Sequence, residues 1–369
     1  MEFHFLEGQG YDCVRCAKGC RSRWRMHVDP YSQKRIEGST LELRVIQESG
    51  GPALLREDDG AVITAKRNGQ CVFLRSDNLC AVHAEMGMDA KPIGCRQFPF
   101  MIRPTPDGVV VGVSFYCTAV QQNTGRLLAE HRAEVEALMQ AIRFAPIGDE
   151  PLPVVFDCRM TWDGYRRLEA LIRDGLEKEG LEAASLRGLV ALARASAPGA
   201  LLEAAAVDEA FPAEFREDPD LREQMRFFRM ALVAFVEAPD PAATPALTQN
   251  LLEGEEVELP RWNWRGSADE LVERREYDSE IDRYGRALLH RKFLAQDRPL
   301  YQNLALLHLL PGILRFYTAV AAQARGDACP QPVDYFRALD LCEIDLVTHA
   351  RGLEPLYAAF AEGYLKLLG

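Results

Sequence analysis

Apolar positions along this chain follow two different periods. Up to about residue 120 the apolar runs are short and rich in β-branched residues. Ala61–Arg67 and Cys71–Arg75 flank Asn68-Gly69, the signature of a two-residue type I′ hairpin turn. Phe98–Arg103 and Val109–Phe115 flank Pro106-Asp107-Gly108, a second turn signal. Between these pairs, Cys80–Gly87 reads as a short helix. Strand pairs this small bury little apolar surface by themselves, and a bound metal would supply the missing stability.

From about Thr118 the period becomes helical. Apolar residues at i, i+3 and i+4 predict helices over Ala119–Phe144, Trp162–Glu177, Leu181–Ser196 and Leu221–Glu237. The same spacing predicts Tyr284–Leu294, Leu300–Ala324, Tyr335–His349 and Leu353–Leu368, and Ser267-Ala-Asp-Glu270 is a capping box that opens another. Phe144–Val154 and Glu237–Ala246 are Pro-rich breaks. No repeat of fixed length and no low-complexity tract is present. The expected fold is therefore α+β, mostly α. A small cysteine-rich metal-binding module with short strands, residues 1–120, packs on a C-terminal helical bundle, residues 121–369.

A chain of 369 residues suggests two domains, or three small ones, and 48% hydrophobic with 27% charged residues is the balance of a globular protein. The net charge of −12 is uneven. Residues 1–120 hold 15 Lys and Arg against 14 Asp and Glu, and the remainder holds 28 against 41. So acidic a C-terminal part makes a poor nucleic-acid surface. Leu304–Gln323 is long enough to span a bilayer, but His308, Pro311 and Arg315 interrupt it. A central Arg alone costs about 2.5 kcal/mol or more in a membrane, so a buried core helix kinked at Pro311 is expected. The first thirty residues contain no apolar stretch of the secretory type, which points to the cytoplasm. In that reducing compartment close cysteine spacings signal metal or redox chemistry.

Seven of the ten cysteines precede residue 120: Cys13-x2-Cys16-x3-Cys20, Cys71-x8-Cys80-x14-Cys95, and Cys117 after a strand. A Cys-x2-Cys turn can aim two sulfurs at one ion, and four thiolates satisfy tetrahedral zinc or a 4Fe-4S cubane. Seven exceed the needs of one centre, so two centres share them or some only pack. Zinc and iron–sulfur remain equal on spacing, because neither the Cys-x3-Cys-x2-Cys order nor a ferredoxin run is met. The basic group Arg15, Lys18, Arg21, Arg23 and Arg25 could offset thiolate charge or an anionic ligand. His27 and His83 are possible nitrogen ligands. Cys158 could fold back to the cluster, while Cys342, in an apolar helix, is expected to pack; Cys329 stands alone.

The set Cys16-x3-Cys20-x3-Trp24, Gln70-Cys71-x2-Leu74, Leu79-Cys80 and Cys95-x2-Phe98-Pro99, with a final Cys117, resembles the zinc- or iron-chelating cysteine-cluster family (YkgJ-like). Within it the chain looks most like the flagellin lysine-N-methylase branch. The likeness covers residues 10–120. Beyond them Tyr284–Leu300 and Asp340–Gly352 are the most suggestive parts. The resemblance implies a cysteine-bound centre, iron–sulfur in that branch. It also implies methyl transfer from S-adenosylmethionine to lysines of a flagellin-like partner. The ligands it implies are Cys16, Cys20, Cys71, Cys80, Cys95 and Cys117, with Cys13 in the leading position. Arg21 stands where the family has a second adjacent cysteine. No G-x-G-x-x-G follows a strand, so a Rossmann cofactor site is not expected. Asp12, Tyr116 and Tyr284 are considered as the base that deprotonates lysine. The rival readings are a metal-stapled binding module and a protein of metal storage or delivery.

Overall fold

The change of period does not coincide with the boundary between parts. In the computed structural model the chain divides into two compact units, Met1–Pro146 and Ile147–Gly369. The division lies inside the Pro-rich break instead of at 120, so the helices of 118–141 belong to the first unit. Residues 2–271, 273–349 and 352–368 are described. The α+β, mostly α character holds for the molecule as a whole.

The first unit runs β1 (Phe3–Phe5), β2 (Gly10–Tyr11), α1 (Lys18–Arg21), α2 (Pro30–Ile36), α3 (Thr40–Ser49), β3 (Leu54–Arg56), β4 (Val62–Thr64), β5 (Lys66–Arg67) and β6 (Gln70–Cys71). It continues with α4 (Ala81–Met86), α5 (Ile93–Gln97), β7 (Phe100–Thr105), β8 (Gly108–Val113), α6 (Thr118–Gln121), β9 (Arg126–Leu127) and α7 (Arg132–Ala141). β7 and β8 form the expected hairpin, and β1 adds in parallel to β8. Val109, Val110, Val111 and Val113 are all buried, the unbroken apolar run of a strand covered on both faces. α2 and α3 were not expected. Their caps explain them: Asp29 accepts from the Ser32 N–H ahead of Pro30, and Ser39 accepts from the Glu42 N–H. These helices supply Ile36, Leu41 and Val45 to a small core shared with Val28, Val62, Phe73 and Val82.

Two expectations fail here. The strand expected over Cys71–Arg75 is only two residues, because a tight turn at Arg75–Leu79 brings Cys80 back beside Leu74. The helix expected over Ala119–Phe144 breaks into α6 and α7. Asn123 and Gly125 take φ of 51° and 107°, which a helix cannot hold, and the Asn123 side chain accepts from Gln9 Nε2 and the Gly10 N–H.

The second unit runs β10 (Leu152–Val155), β11 (Cys158–Met160), α8 (Trp162–Glu179), α9 (Leu181–Ala195), β12 (Leu201–Leu202), α10 (Ala204–Ala210), α11 (Pro219–Glu237), α12 (Thr244–Glu253), β13 (Glu256–Leu259) and β14 (Trp264–Ser267). It ends with α13 (Asp278–His290), α14 (Leu300–Ala324), α15 (Pro332–Leu341) and α16 (Glu354–Leu368). α14 has the expected bounds, runs through Pro311 and is buried along nearly its whole length. The two small sheets, β10-β11-β12 and β13-β14, were not expected. The Ser267 box caps a single 3-10 turn: Ser267 Oγ accepts from the Asp269 N–H, while Arg226 binds the Asp269 carboxylate at 2.8 Å. The helix expected over Tyr335–His349 winds as α only to Leu341, and Cys342–Thr348 is π-wound.

α14 also carries a buried histidine. His308 Nδ1 lies 2.9 Å from the Glu182 carbonyl and 3.3 Å from Ser185 Oγ, with its ring edge against Tyr364. Burial holds its pKa below the usual 6.5, although the Glu182 charge pulls the other way. A lowered imidazole pKa means that the fold favours the neutral ring. The stability it contributes is complete above about pH 6.5 and is lost as the pH falls below it, by up to about 1.4 kcal/mol per pH unit. Urea midpoints at pH 7.5 and 5.5 should therefore converge in His308→Asn, whose amide N–H can still reach the Glu182 carbonyl. An unchanged gap between the two midpoints would assign the acid loss to other groups.

Candidate metal centre

The hairpin turn at Asn68-Gly69 sets the first ligand candidate. Both residues take positive φ, 50° and 77°, as a type I′ turn requires. The turn fixes the register Lys66↔Cys71, so these two side chains share one face of the ladder. Cys71 and Cys80 both pack against the core of α2, α3 and α4. Cys80 is the N-cap residue of α4, and the Ala81 N–H donates to the Phe73 carbonyl.

Cys95 lies in α5. The start of that helix is tied to α2, because Asp29 accepts from the Ile93 N–H at 2.9 Å. Burial opposes the Asp29 charge, but the N–H bonds from Ser32 and Ile93 outweigh it and hold the carboxyl below its usual range. Cys20 lies in α1, where an added Cβ on neighbouring Gly19 would touch Phe98 at 4.0 Å. Trp24 packs its ring 5.5 Å from Phe98 and 4.9 Å from Tyr116. The motif residues Trp24 and Phe98 thus form one aromatic contact beside α1.

Electrostatics shows which sulfurs are neighbours. Burial pushes the Cys20 thiol up to about 11, and potential charges on Cys71, Cys80 and Cys16 push in the same direction. Burial raises Cys95 as well, with Cys71, Cys80 and Cys20 adding to it. Cys71 is raised by burial and by Cys80, against an N–H bond from Phe73. Cys20, Cys71, Cys80 and Cys95, drawn from four elements, therefore lie within mutual electrostatic reach. Cys117 is linked to this group through Cys16. Burial lifts it to about 11 against N–H bonds from Val120 and Ala119, and its sulfur neighbours are Cys16 and Cys13. All ten cysteines are free thiols.

Among the described residues, no three His, Cys, Asp or Glu side chains stand as a ready set of metal ligands. The donor chemistry nevertheless suits a thiophilic ion. Neutral thiols are gathered from separate elements, and N–H groups are aimed at the Cys71 and Cys117 sulfurs. Binding would have to expel the thiol protons and draw the sulfurs inward.

The basic residues are distributed differently from the expectation. Lys66 and Lys91 are the cations whose charge reaches the four-sulfur group. Lys66 Nζ also donates to the Ser22 carbonyl. Within the 15–25 cluster, Arg25 pairs with Glu57 and Lys18 lies over the Tyr116 ring. Arg21 has a structural use in place of the missing cysteine. Its guanidinium donates to the Cys16 carbonyl and to Asn78 Oδ1, strapping the Cys16 loop to the turn before Cys80. His27 and His83 are both exposed. Cys158 is buried in β11 of the second unit and Cys342 is buried at the start of the π-wound segment. Cys329 is exposed.

The three residues considered as bases fare poorly. Arg126 clasps Asp12 with two nitrogens and holds its carboxyl below the usual range. Tyr116 is packed between Trp24 and Lys18. Tyr284 is fully buried, its phenol pushed far up first by burial and then by Glu343, so it holds its proton firmly.

Sequence reading missed what Tyr284 does. It donates to Glu343 Oε2 at 2.7 Å, and Arg291 clasps the same carboxylate at 2.8 and 2.9 Å. The segment 284–300 and the described part of 340–352, residues 340–349, are joined through this buried group; residues 350 and 351 lie outside the described residues. The available signal was a lone glutamate in the apolar run Leu341-Cys-Glu-Ile.

No family model matches the chain. An uncharacterized protein of Methanocaldococcus jannaschii is 25% identical to it over 119 residues, 32% of this chain and 39% of that relative. The match thus spans well under half of either protein. No solved structure matches.

Proposed function

We propose that the first unit is a cysteine-ligated metal module, holding an iron–sulfur cluster or zinc, in a protein that methylates lysines of a flagellin-like partner. One observation carries the metal reading: Cys20, Cys71, Cys80 and Cys95 come from α1, β6, the start of α4 and α5, yet each lies within charge range of the others. Cys13, Cys16 and Cys117 are the remaining ligand candidates. A bound centre would hold the short elements of this unit together and could orient a cofactor beside it. Methyl transfer from S-adenosylmethionine rests on the resemblance of the cysteine motif to the flagellin lysine-N-methylase branch. The non-enzymatic staple is the second reading, favoured by the packing of Cys71 and Cys80 on a core of short helices.

Protein purified without oxygen should carry stoichiometric metal. It should be brown if the centre is iron–sulfur and colourless if it is zinc. Titration calorimetry with S-adenosylmethionine then separates enzyme from staple. Metal-replete protein that gives neither heat nor a thermal shift with the cofactor is a staple, and protein that holds no metal at all refutes the module.

A further inference from the structure

Three aromatic side chains of the first unit meet beside α1, each delivered by a different stretch of chain. Trp24 follows α1, and Ser22 ties it back. The buried Ser22 hydroxyl donates to the Gly19 carbonyl at 2.8 Å and accepts from the Trp24 N–H at 3.3 Å. Phe98 is the C-cap residue of α5, and its N–H donates to the Gly94 carbonyl. Tyr116 follows β8, its N–H donating to Ser114 Oγ at 3.3 Å. The centre of the Trp24 ring lies 5.5 Å from that of Phe98 and 4.9 Å from that of Tyr116, inclined at 62° and 50°. A parallel stack would hide the ring faces in one another, and rings set at these angles do not. All three side chains are half-buried.

The chain itself shows what this cluster attracts. Lys18, in α1, brings its ammonium to 4.8 Å from the centre of the Tyr116 ring. That is within the range of about 6 Å over which a ring face draws a cation. Gln121 Oε1 accepts a hydrogen bond from the same ammonium at 3.3 Å. A lysine ammonium carries three N–H donors, and moving it from water onto rings costs the bonds that the rings cannot replace. An ammonium whose hydrogens are replaced by alkyl groups has no such bonds to lose and keeps its charge for the ring faces. The cluster therefore suits an alkylated ammonium better than the lysine that lies on it.

We propose that Trp24, Phe98 and Tyr116 form a binding site for an alkylated ammonium group, and that Lys18 lies on it as an internal stand-in which the ligand displaces. The rings and the lysine are placed by bonds within the protein alone, so the inference goes beyond the metal reading and does not depend on it.

Choline and Nε-trimethyllysine are the probes, each set beside the uncharged isostere in which carbon replaces the ammonium nitrogen. Saturation-transfer NMR on the methyl singlet of each compound, titrated against the full chain, gives the dissociation constants. Each cation should bind at least about fivefold more tightly than its isostere. Nε-Trimethyllysine that binds at least as tightly as choline assigns the site to a side chain of a partner, weaker binding assigns it to a free amine, and both support the site. Lys18→Ala, which clears the Tyr116 ring, should tighten binding about two- to fivefold. Tyr116→Phe should retain binding and Tyr116→Leu should lose it, with far-UV spectra like that of the wild type. Should Tyr116→Leu fail to fold, the comparison of cation with isostere in the wild type decides alone. Isosteres that bind as well as the cations, or cations that bind neither the wild type nor Lys18→Ala, overturn the site and leave the metal reading standing. Binding weakened by Lys18→Ala overturns the role given to Lys18.

Discussion

Arg291→Met should destabilise the protein by about 3–5 kcal/mol, because it removes the bidentate partner of a carboxylate held in the interior. Glu343 is fully buried and Arg291 is 3% exposed. Tyr284 supplies one further bond to that carboxylate, and one phenol cannot replace a bidentate cation. The arrangement also sits at a vulnerable place. Arg291 ends α13, and the next residue, Lys292, takes φ of 59° and reaches Glu169 at 2.7 Å. Loss of the Arg291 clasp therefore loosens both the end of α13 and the π-wound segment that carries Glu343. Adding Glu343→Leu should restore much of the loss, since a buried ion pair exchanged as a whole for apolar side chains is often neutral. Urea unfolding followed by far-UV circular dichroism measures both variants. A double variant no more stable than Arg291→Met would show that the two groups are not coupled.

The second large effect concerns the first unit. On the proposed metal reading, Cys95→Ser should abolish metal binding at the four-sulfur group and lower the melting temperature to that of chelator-treated wild type. The reason is linkage. A metal that binds only the folded unit adds its binding free energy to folding, about 10–16 kcal/mol for structural zinc in small domains. Chelator should then lower the wild-type melting temperature and leave the variant's almost unchanged. Cys329→Ser, at an exposed cysteine in the second unit, is the control and should alter neither metal content nor melting. Metal analysis and a thermal melt, each with and without chelator, read the outcome. Full metal content in Cys95→Ser would remove Cys95 from the ligand set.

The helical half was legible because its apolar period is long. Tyr165, Leu168, Ile172 and Leu176 line one face of α8, and α14 is apolar all round and buried all round. The losses came where tertiary bonds outrank local pattern. The 119–144 helix breaks where Gln9 and Gly10 capture Asn123. α2 and α3 were overlooked although Asp29-Pro30 and Ser39-x2-Glu42 are ordinary start signals. The ligand candidates could be named from spacing. Their grouping could not, because it depends on which elements a turn or a cap brings together. Cys16 lies within charge range both of Cys20, four residues on, and of Cys117, far along the chain. The Arg291–Glu343 pair was beyond reach for the same reason, the partners being 52 positions apart.

The short ladder of β5 and β6 has a consequence for how this chain can vary. Its two-residue tip leaves no slack, and in a ladder every step of slip exchanges the two faces. One extra residue at Asn68-Gly69 would send the Cys71 side chain to the side away from Lys66, unless a bulge absorbed it. Variants of this protein should therefore tolerate sequence drift at the tip of the hairpin far better than a change in its length.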